Sequence, residues 1–237
     1  MSKRVSELLF ILWIDRLEFI IYFRTINLKK KAAQMSSAPK ATTVKDRVLN
    51  FEGPFGLMRN SKSFLFDQAK AKEPGIYLWT VPYCRGGYLV SYIGETSASF
   101  GQRLKDHLVQ TVGGNYRICD PDSLTRGEPE VLWNGLWRKG TRNKFHEYIE
   151  RLEELAPVIR KLLQIEAIFV APLQCETRLR QRIEGAIANF IRSQPAPVPS
   201  VLPSDIRYYQ RKADEPPVTV TILCNSQVIG LPQELQV

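Results

Sequence analysis

Gly75-Ile76-Tyr77-Leu78-Trp79-Thr80-Val81 and Tyr88-Leu89-Val90-Ser91-Tyr92-Ile93-Gly94, with Arg85-Gly86-Gly87 between them, decide the fold of this chain. Both runs are dense in β-branched and aromatic residues, and the paired glycines supply the backbone freedom that a turn demands. We therefore expect a hairpin over 76–93. Beyond it, Ser97 or Ser99 is placed to cap a helix continuing to about Leu108, with Phe100, Leu104 and Leu108 on one stripe, and Gly113-Gly114 ends it.

The pattern is less regular on either side. Residues 44–51 and 61–71 read as short helical or irregular lead-in elements. Residues 115–140 read as loop-rich, carrying Trp133 and Trp137, and 142–163 as a charged amphipathic helix broken near Pro157. A strand over 165–171 precedes a helix over 176–192 with Leu179, Ile183, Ile187, Phe190 and Ile191 inward. Residues 193–203 are proline-rich and extended, and 218–224 reads as a last strand. There is no internal repeat.

The chain has 237 residues, 44% of them hydrophobic, which suits one globular domain with a core of its own. Its formal net charge of +9 favours a polyanionic partner, because neutralising phosphates releases counterions. Four scattered cysteines, Cys84, Cys119, Cys175 and Cys224, form no C-x-x-C pair, and only His107 and His146 accompany them. That inventory argues against a structural zinc site and for free thiols in a reducing cytoplasm.

Residues 1–43 differ from the rest. The apolar run at 8–14 is interrupted by Asp15, Arg16 and Glu18, too short and too charged for a membrane span, which needs roughly 20 apolar residues. No small-residue cleavage site follows it. An interfacial helix and a translated upstream extension with Met35 in place of Met1 as the start are the two readings, and we favour the extension. The first 34 residues carry seven basic and three acidic side chains, so the remainder keeps +5 of the +9.

Several residues are candidates for chemistry. Arg103 and His107, four apart, share a helix face, and a guanidinium there can donate two parallel hydrogen bonds to phosphate oxygens. The bland alternative pairs Arg103 with Asp106 or Glu95. Glu184 sits among Ile183, Gly185, Ala186 and Ile187, where a carboxylate is costly unless paired or bound to a cation. Its bland alternative is an ion pair with Arg180. Tyr77 and Tyr92, taken singly, read as strand packing. Arg126, Arg138, Lys139, Arg142 and Lys144, interleaved with Trp133 and Trp137, are candidate nucleic-acid contacts, and the cluster 207–212 is a second one.

The ordered set Gly75-Ile76-Tyr77, Tyr92-Ile93-Gly94, Arg103, His107 and Glu184 resembles the GIY-YIG nuclease superfamily over about residues 74–192. The resemblance implies an α/β (α+β) fold: a small three-stranded mixed sheet flanked by helices, here with a helical insertion at 112–163 and a C-terminal strand extension. It implies one domain over 44–237 that hydrolyses phosphodiesters in DNA, in the manner of the superfamily's restriction-type members. Glu184 would hold one divalent cation, Mg²⁺ or Mn²⁺; Tyr77 would activate the attacking water, Tyr92 would hydrogen-bond water or phosphate, and Arg103 would neutralise the phosphorane. The chain departs from the family where an asparagine often follows the glutamate by twelve to fifteen residues. The window 196–199 has none, leaving Gln194 or Ser200 as substitutes. Two competing readings follow: a catalytically weakened nucleic-acid-binding module, and a membrane-associated protein using the N-terminal segment, although no stable membrane partner is expected.

Overall fold

The computed structural model describes residues 46–237, so the readings made on 1–43 lie outside the described residues. Within them eight strands and five helices follow one another as β1 (Arg47–Gly56), β2 (Gly75–Pro82), β3 (Tyr88–Thr96), α1 (Phe100–Val112), β4 (Ile118–Cys119), α2 (Pro121–Arg126), β5 (Val131–Trp133), α3 (Phe145–Glu150), α4 (Leu152–Ile165), β6 (Ala167–Pro172), α5 (Thr177–Arg192), β7 (Thr219–Cys224) and β8 (Glu234–Gln236). The class is mixed α and β, as expected.

The sheet is larger than expected. In place of three strands, six run in the order β3-β2-β6-β1-β7-β8, and β4-β5 form a separate ribbon. The expected trio β3-β2-β6 lies at one end, with β2 antiparallel to both neighbours. Part of the extra width is the expected C-terminal strand extension, β7, to which β8 adds, and part comes from residues read as a helical or irregular lead-in. They form β1, which pairs antiparallel with β6 and parallel with β7. Leu49 and Phe51 alternate inward and are fully buried, while Val48 points outward at 60% exposure. Pro54, which has no N–H to donate, sits where the β1–β6 register slips between Glu52 and Phe55.

The sheet also curls. The loop after β7 returns to β3, where the Tyr88 N–H donates to the Gln227 carbonyl at 3.0 Å and the Ile229 N–H to the Tyr88 carbonyl at 2.8 Å. Part of the exposed edge of β3 is thereby paired within the chain.

Central strand β2 is buried on both faces, so its alternation assigns side chains to two layers. Tyr77 and Trp79 face Phe100 and Leu104 of α1, with Ile168 and Val170 of β6 beneath them. Ile76 and Leu78 belong to the opposite core, with Ile183, Ile187 and Ile191 of α5. Ser99 caps α1 by accepting from the Gln102 N–H at 3.2 Å, one of the two caps the sequence offered.

The insertion also differs in detail. The expected long helix is two, α3 and α4, and the break falls at Arg151, not near Pro157. Arg151 has left helical geometry, with φ −90° and ψ 3°, and its guanidinium donates to the Leu132 carbonyl at 3.0 Å. Pro157 is accommodated inside α4. Trp133, expected at the surface among basic residues, is instead buried, and its indole N–H donates to the Gly114 carbonyl at 2.8 Å. Among the described residues no helix is long and apolar enough to cross a membrane.

Candidate functional site

Tyr77, Tyr92, Arg103 and His107 meet on the α1 side of the hairpin. Tyr77 pairs across the sheet with Gly94, and Trp79 with Tyr92, so these four share one face. A Cβ at Gly94 would stand 2.2 Å from the Tyr77 hydroxyl oxygen. The second motif's glycine is therefore the floor on which the first motif's phenol lies. Gly75 meets a comparable constraint: a Cβ there would stand 2.2 Å from the Ala171 carbonyl of β6.

From α1, one helical turn apart, Arg103 and His107 reach the same place. The Tyr77 hydroxyl and His107 Nε2 are 2.7 Å apart. The Tyr77 and Tyr92 rings lie 6.1 Å apart, and Tyr92 and His107 5.2 Å. The Arg103 guanidinium approaches both phenols; Asp106 instead accepts from Gln102, and Glu95 from Arg180. Neither bland pairing offered for Arg103 is the one formed.

Burial sets the protonation states. It lifts the Tyr77 phenol well above its ordinary range, with repulsion from Tyr92 added, and it lifts Tyr92 as well. Burial and the neighbouring Arg103 charge push His107 down to about 3, so its imidazole is neutral at neutral pH. Burial works against the Arg103 charge too, but the surrounding phenols outweigh it and its pKa is raised. Tyr77 has no exposed surface, and Tyr92 is the phenol that faces outward.

Glu184 comes from the other side. Its helix α5 packs on the face opposite the phenols, through Ile183 and Ile187. The carboxyl nevertheless reaches edge strand β3 near the Glu95 backbone, and feels the Arg103 charge. Arg180, its supposed partner, instead donates to Glu95 at 3.1 Å, to the Cys175 carbonyl and to Thr177. Burial, with repulsion from Glu95, pushes the Glu184 carboxyl up to about 7.

A cation suits this position. Among the described residues no three His, Cys, Asp or Glu side chains cluster as a multi-ligand site. A carboxylate near the Arg103 guanidinium, with the Glu95 charge beside it, fits a hard ion that keeps most of its waters.

Two further phenols adjoin the site: Tyr208, which sequence reasoning gave only as part of the candidate nucleic-acid cluster 207–212, and Tyr116, which it missed. Tyr208 lies on a strap that crosses α5; a Cβ at Gly185 would stand 2.0 Å from the Tyr209 carbonyl. Its hydroxyl donates to the Ile93 carbonyl at 3.4 Å, Arg192 lies 5.0 Å over its ring, and burial, with Tyr92 and Glu184 nearby, raises its pKa. Tyr116, just past the Gly113-Gly114 break, lies 5.5 Å from His107, and burial pushes it up to about 12. Its position immediately after the helix carrying Arg103 and His107 was the available signal.

The candidate nucleic-acid contacts do not form one group. Arg138, Lys139, Arg142 and Lys144 are exposed together on the 138–144 segment, where Arg138 pairs with Asp205 at 3.2 Å and Lys144 with Glu147 at 2.8 Å. Arg126 is exposed at the end of α2, which packs against β2. The proposed substitutes for an asparagine lie elsewhere: Gln194 bonds back to the Phe190 carbonyl at 3.3 Å, and Ser200 ends a short 3₁₀ turn.

Comparison of the chain with protein-family models, with curated proteins and with solved structures gave no match.

Proposed function

We propose that this chain is a metal-dependent DNA endonuclease of the GIY-YIG kind, hydrolysing phosphodiester bonds. The observation that carries the reading is the convergence of two phenols, a guanidinium, a neutral imidazole and the Glu184 carboxyl, drawn from β2, β3, α1 and α5. Structural packing alone gives no reason to collect these groups at a cost in desolvation.

The burial of Tyr77 changes the roles. A phenol with a raised pKa cannot stand as a free base at neutral pH. Tyr92, which faces the cavity, is the group that contacts the attacking water. The Tyr77 ring lies 6.1 Å from that of Tyr92, and its hydroxyl is 2.7 Å from His107 Nε2. As the water oxygen bonds to phosphorus, its proton passes to Tyr92, the Tyr92 proton to Tyr77, and the Tyr77 proton to His107 Nε2. The ester P–O bond breaks, and the leaving oxygen takes a proton from solvent. Arg103 stabilises the charge that builds on the phosphorane, and the bound phosphate in turn offsets the Arg103 charge that depresses His107. Glu184 is the residue that would hold Mg²⁺ or Mn²⁺, which supplies charge neutralisation at the leaving oxygen. The free state of Cys84, Cys119, Cys175 and Cys224 supports a cytoplasmic setting.

The test is nicking of supercoiled plasmid in Mg²⁺ by wild type and by Glu184→Ala. Wild type nicks and the variant loses at least about a hundredfold in rate. Equal nicking by both proteins overturns the assignment. DNA binding without nicking by either favours the binding-module reading, to which the full burial of Tyr77 lends weight.

A further inference from the structure

A cavity of about 440 Å³ opens directly beside the phenol–imidazole cluster, with Tyr92, Arg103 and His107 forming one wall. This volume falls in the range of small-ligand pockets, about 300–1,000 Å³. Aromatic rings continue that wall: Tyr116 lies 5.5 Å from His107, and Trp137 stands at 88° to Tyr116 with centroids 5.2 Å apart. Trp137 is 58% exposed, so indole surface is open to an occupant.

The chain goes to some length to set this wall. The Trp137 N–H donates to the Asn115 carbonyl at 3.3 Å and the Leu136 N–H to the Gly114 carbonyl at 2.9 Å. Gly135, at φ +84°, allows the approach, since a Cβ there would stand 2.7 Å from the Asn115 carbonyl. Trp137 is thus delivered beside Tyr116 from the far end of the β4–β5 ribbon.

Polar side chains share the lining with the aromatic rings, Ser91, Asn115, Asn134 and Glu166 among them. The Glu166 side chain lies on the lining beside the Trp79 indole; burial pushes its carboxyl up to about 7, so it offers both a donor and an acceptor near neutral pH. Arg117 and Arg138 add positive charge at the lining. Arg138 pairs with Asp205, an exposed pair of little strength that a phosphate can replace.

Resting on the nuclease reading, we infer that this cavity receives one unpaired nucleobase adjoining the phosphodiester held at Arg103, stacked on Trp137 with the Tyr116 ring at its edge. An open indole, a perpendicular phenol, arginines at the lining and side chains able to donate and accept match a base on its sugar-phosphate, whereas a base pair presents no free face to such a recess. The preferred substrate is therefore DNA with an unpaired nucleotide, either extruded from a duplex or lying in a single strand.

The test is equilibrium binding of the full chain, with chelator present to prevent cleavage. The probes are a short fully paired duplex, the same duplex with one unpaired base, and the single strand alone, each bound by wild type and by Trp137→Leu. Wild type is expected to bind the unpaired-base duplex about tenfold tighter than the paired one, and Trp137→Leu to lose most of that preference while binding the paired duplex as before. If the single strand binds as tightly as the unpaired-base duplex, single-stranded DNA is the source; if only the duplex does, extrusion is. Equal affinity for paired and unpaired probes, or an equal loss on all three in the variant, overturns the inference. Absence of plasmid nicking with the unpaired-base preference intact would instead remove the nuclease reading alone.

Discussion

At the scale of single residues, two carboxyls carry the pH behaviour. Burial, above all, pushes Glu184 and Glu166 up to about 7 from an ordinary 4.5. A carboxyl whose folded pKa lies above its unfolded one costs nothing below the unfolded value, where both states are protonated. The cost grows as pH rises and is fully present above the folded value. Between about pH 4.5 and about pH 7 the cation-free protein therefore loses stability, by up to about 3 kcal/mol for Glu184. Glu184→Gln is expected to remove at least half of the net fall in unfolding midpoint between about pH 5 and about pH 8, leaving the Glu166 share, and Mg²⁺ to flatten the wild-type curve in the same window. An unfolding midpoint that drops as far in the variant as in wild type would contradict the burial of this group. His107, held near about 3 by burial and the Arg103 charge, works in the opposite sense: the unfolded chain takes up its proton first, so its contribution rises with pH up to about 6.5 and offsets part of the carboxyl cost there.

At the scale of elements, α5 depends on what crosses it. The strap bearing Tyr208 and Tyr209 passes so close to Gly185 that a methyl group there collides with the Tyr209 backbone oxygen, which cannot swing aside as a side chain would. Gly185→Ala is expected to cost about 1–3 kcal/mol and to free Tyr208 from the Ile93 carbonyl. Urea unfolding measures the cost, and unchanged stability would show that the strap is not held there. Elements were legible where local chemistry decides them. The hairpin, α1 and α5 follow from β-rich runs, a serine cap and a 3.6-residue stripe. β1 was not legible, because Leu49 and Phe51 are its only fully inward side chains and Gly53-Pro54 reads locally as a breaker. What makes it a strand is pairing with β6 and β7, both remote in sequence. The break at Arg151 was hidden for a similar reason, since its cause is a contact with the distant Leu132 carbonyl.

At the scale of the whole molecule, the site was legible as a set and not as an arrangement. The order of Tyr77, Tyr92, Arg103, His107 and Glu184 pointed to one pocket. Which phenol would be sealed in and which would face outward depends on α1 packing over the hairpin, and spacing does not report that. Nor does it report that Glu184 reaches the group around the sheet edge from a helix on the other face. The same long-range dependence makes the late strands indispensable: deleting residues 218–237 strips β1 of its parallel partner and uncovers Leu49 and Phe51. The shortened chain is expected to aggregate or to lose a cooperative unfolding transition, and a sharp thermal transition like that of the full chain would contradict the role given to β7.

Arg47 lies opposite Val220 in the β1–β7 pair, and residues 201–206 close one wall of the cavity. On a ribosome, the recess must wait for residues 201–206 to emerge and the β1 flank for residues 219–224. A nascent chain shorter than that carries an open β1 flank and an unfinished recess. Anything that needs the recess is therefore withheld until those late residues have left the exit tunnel and docked.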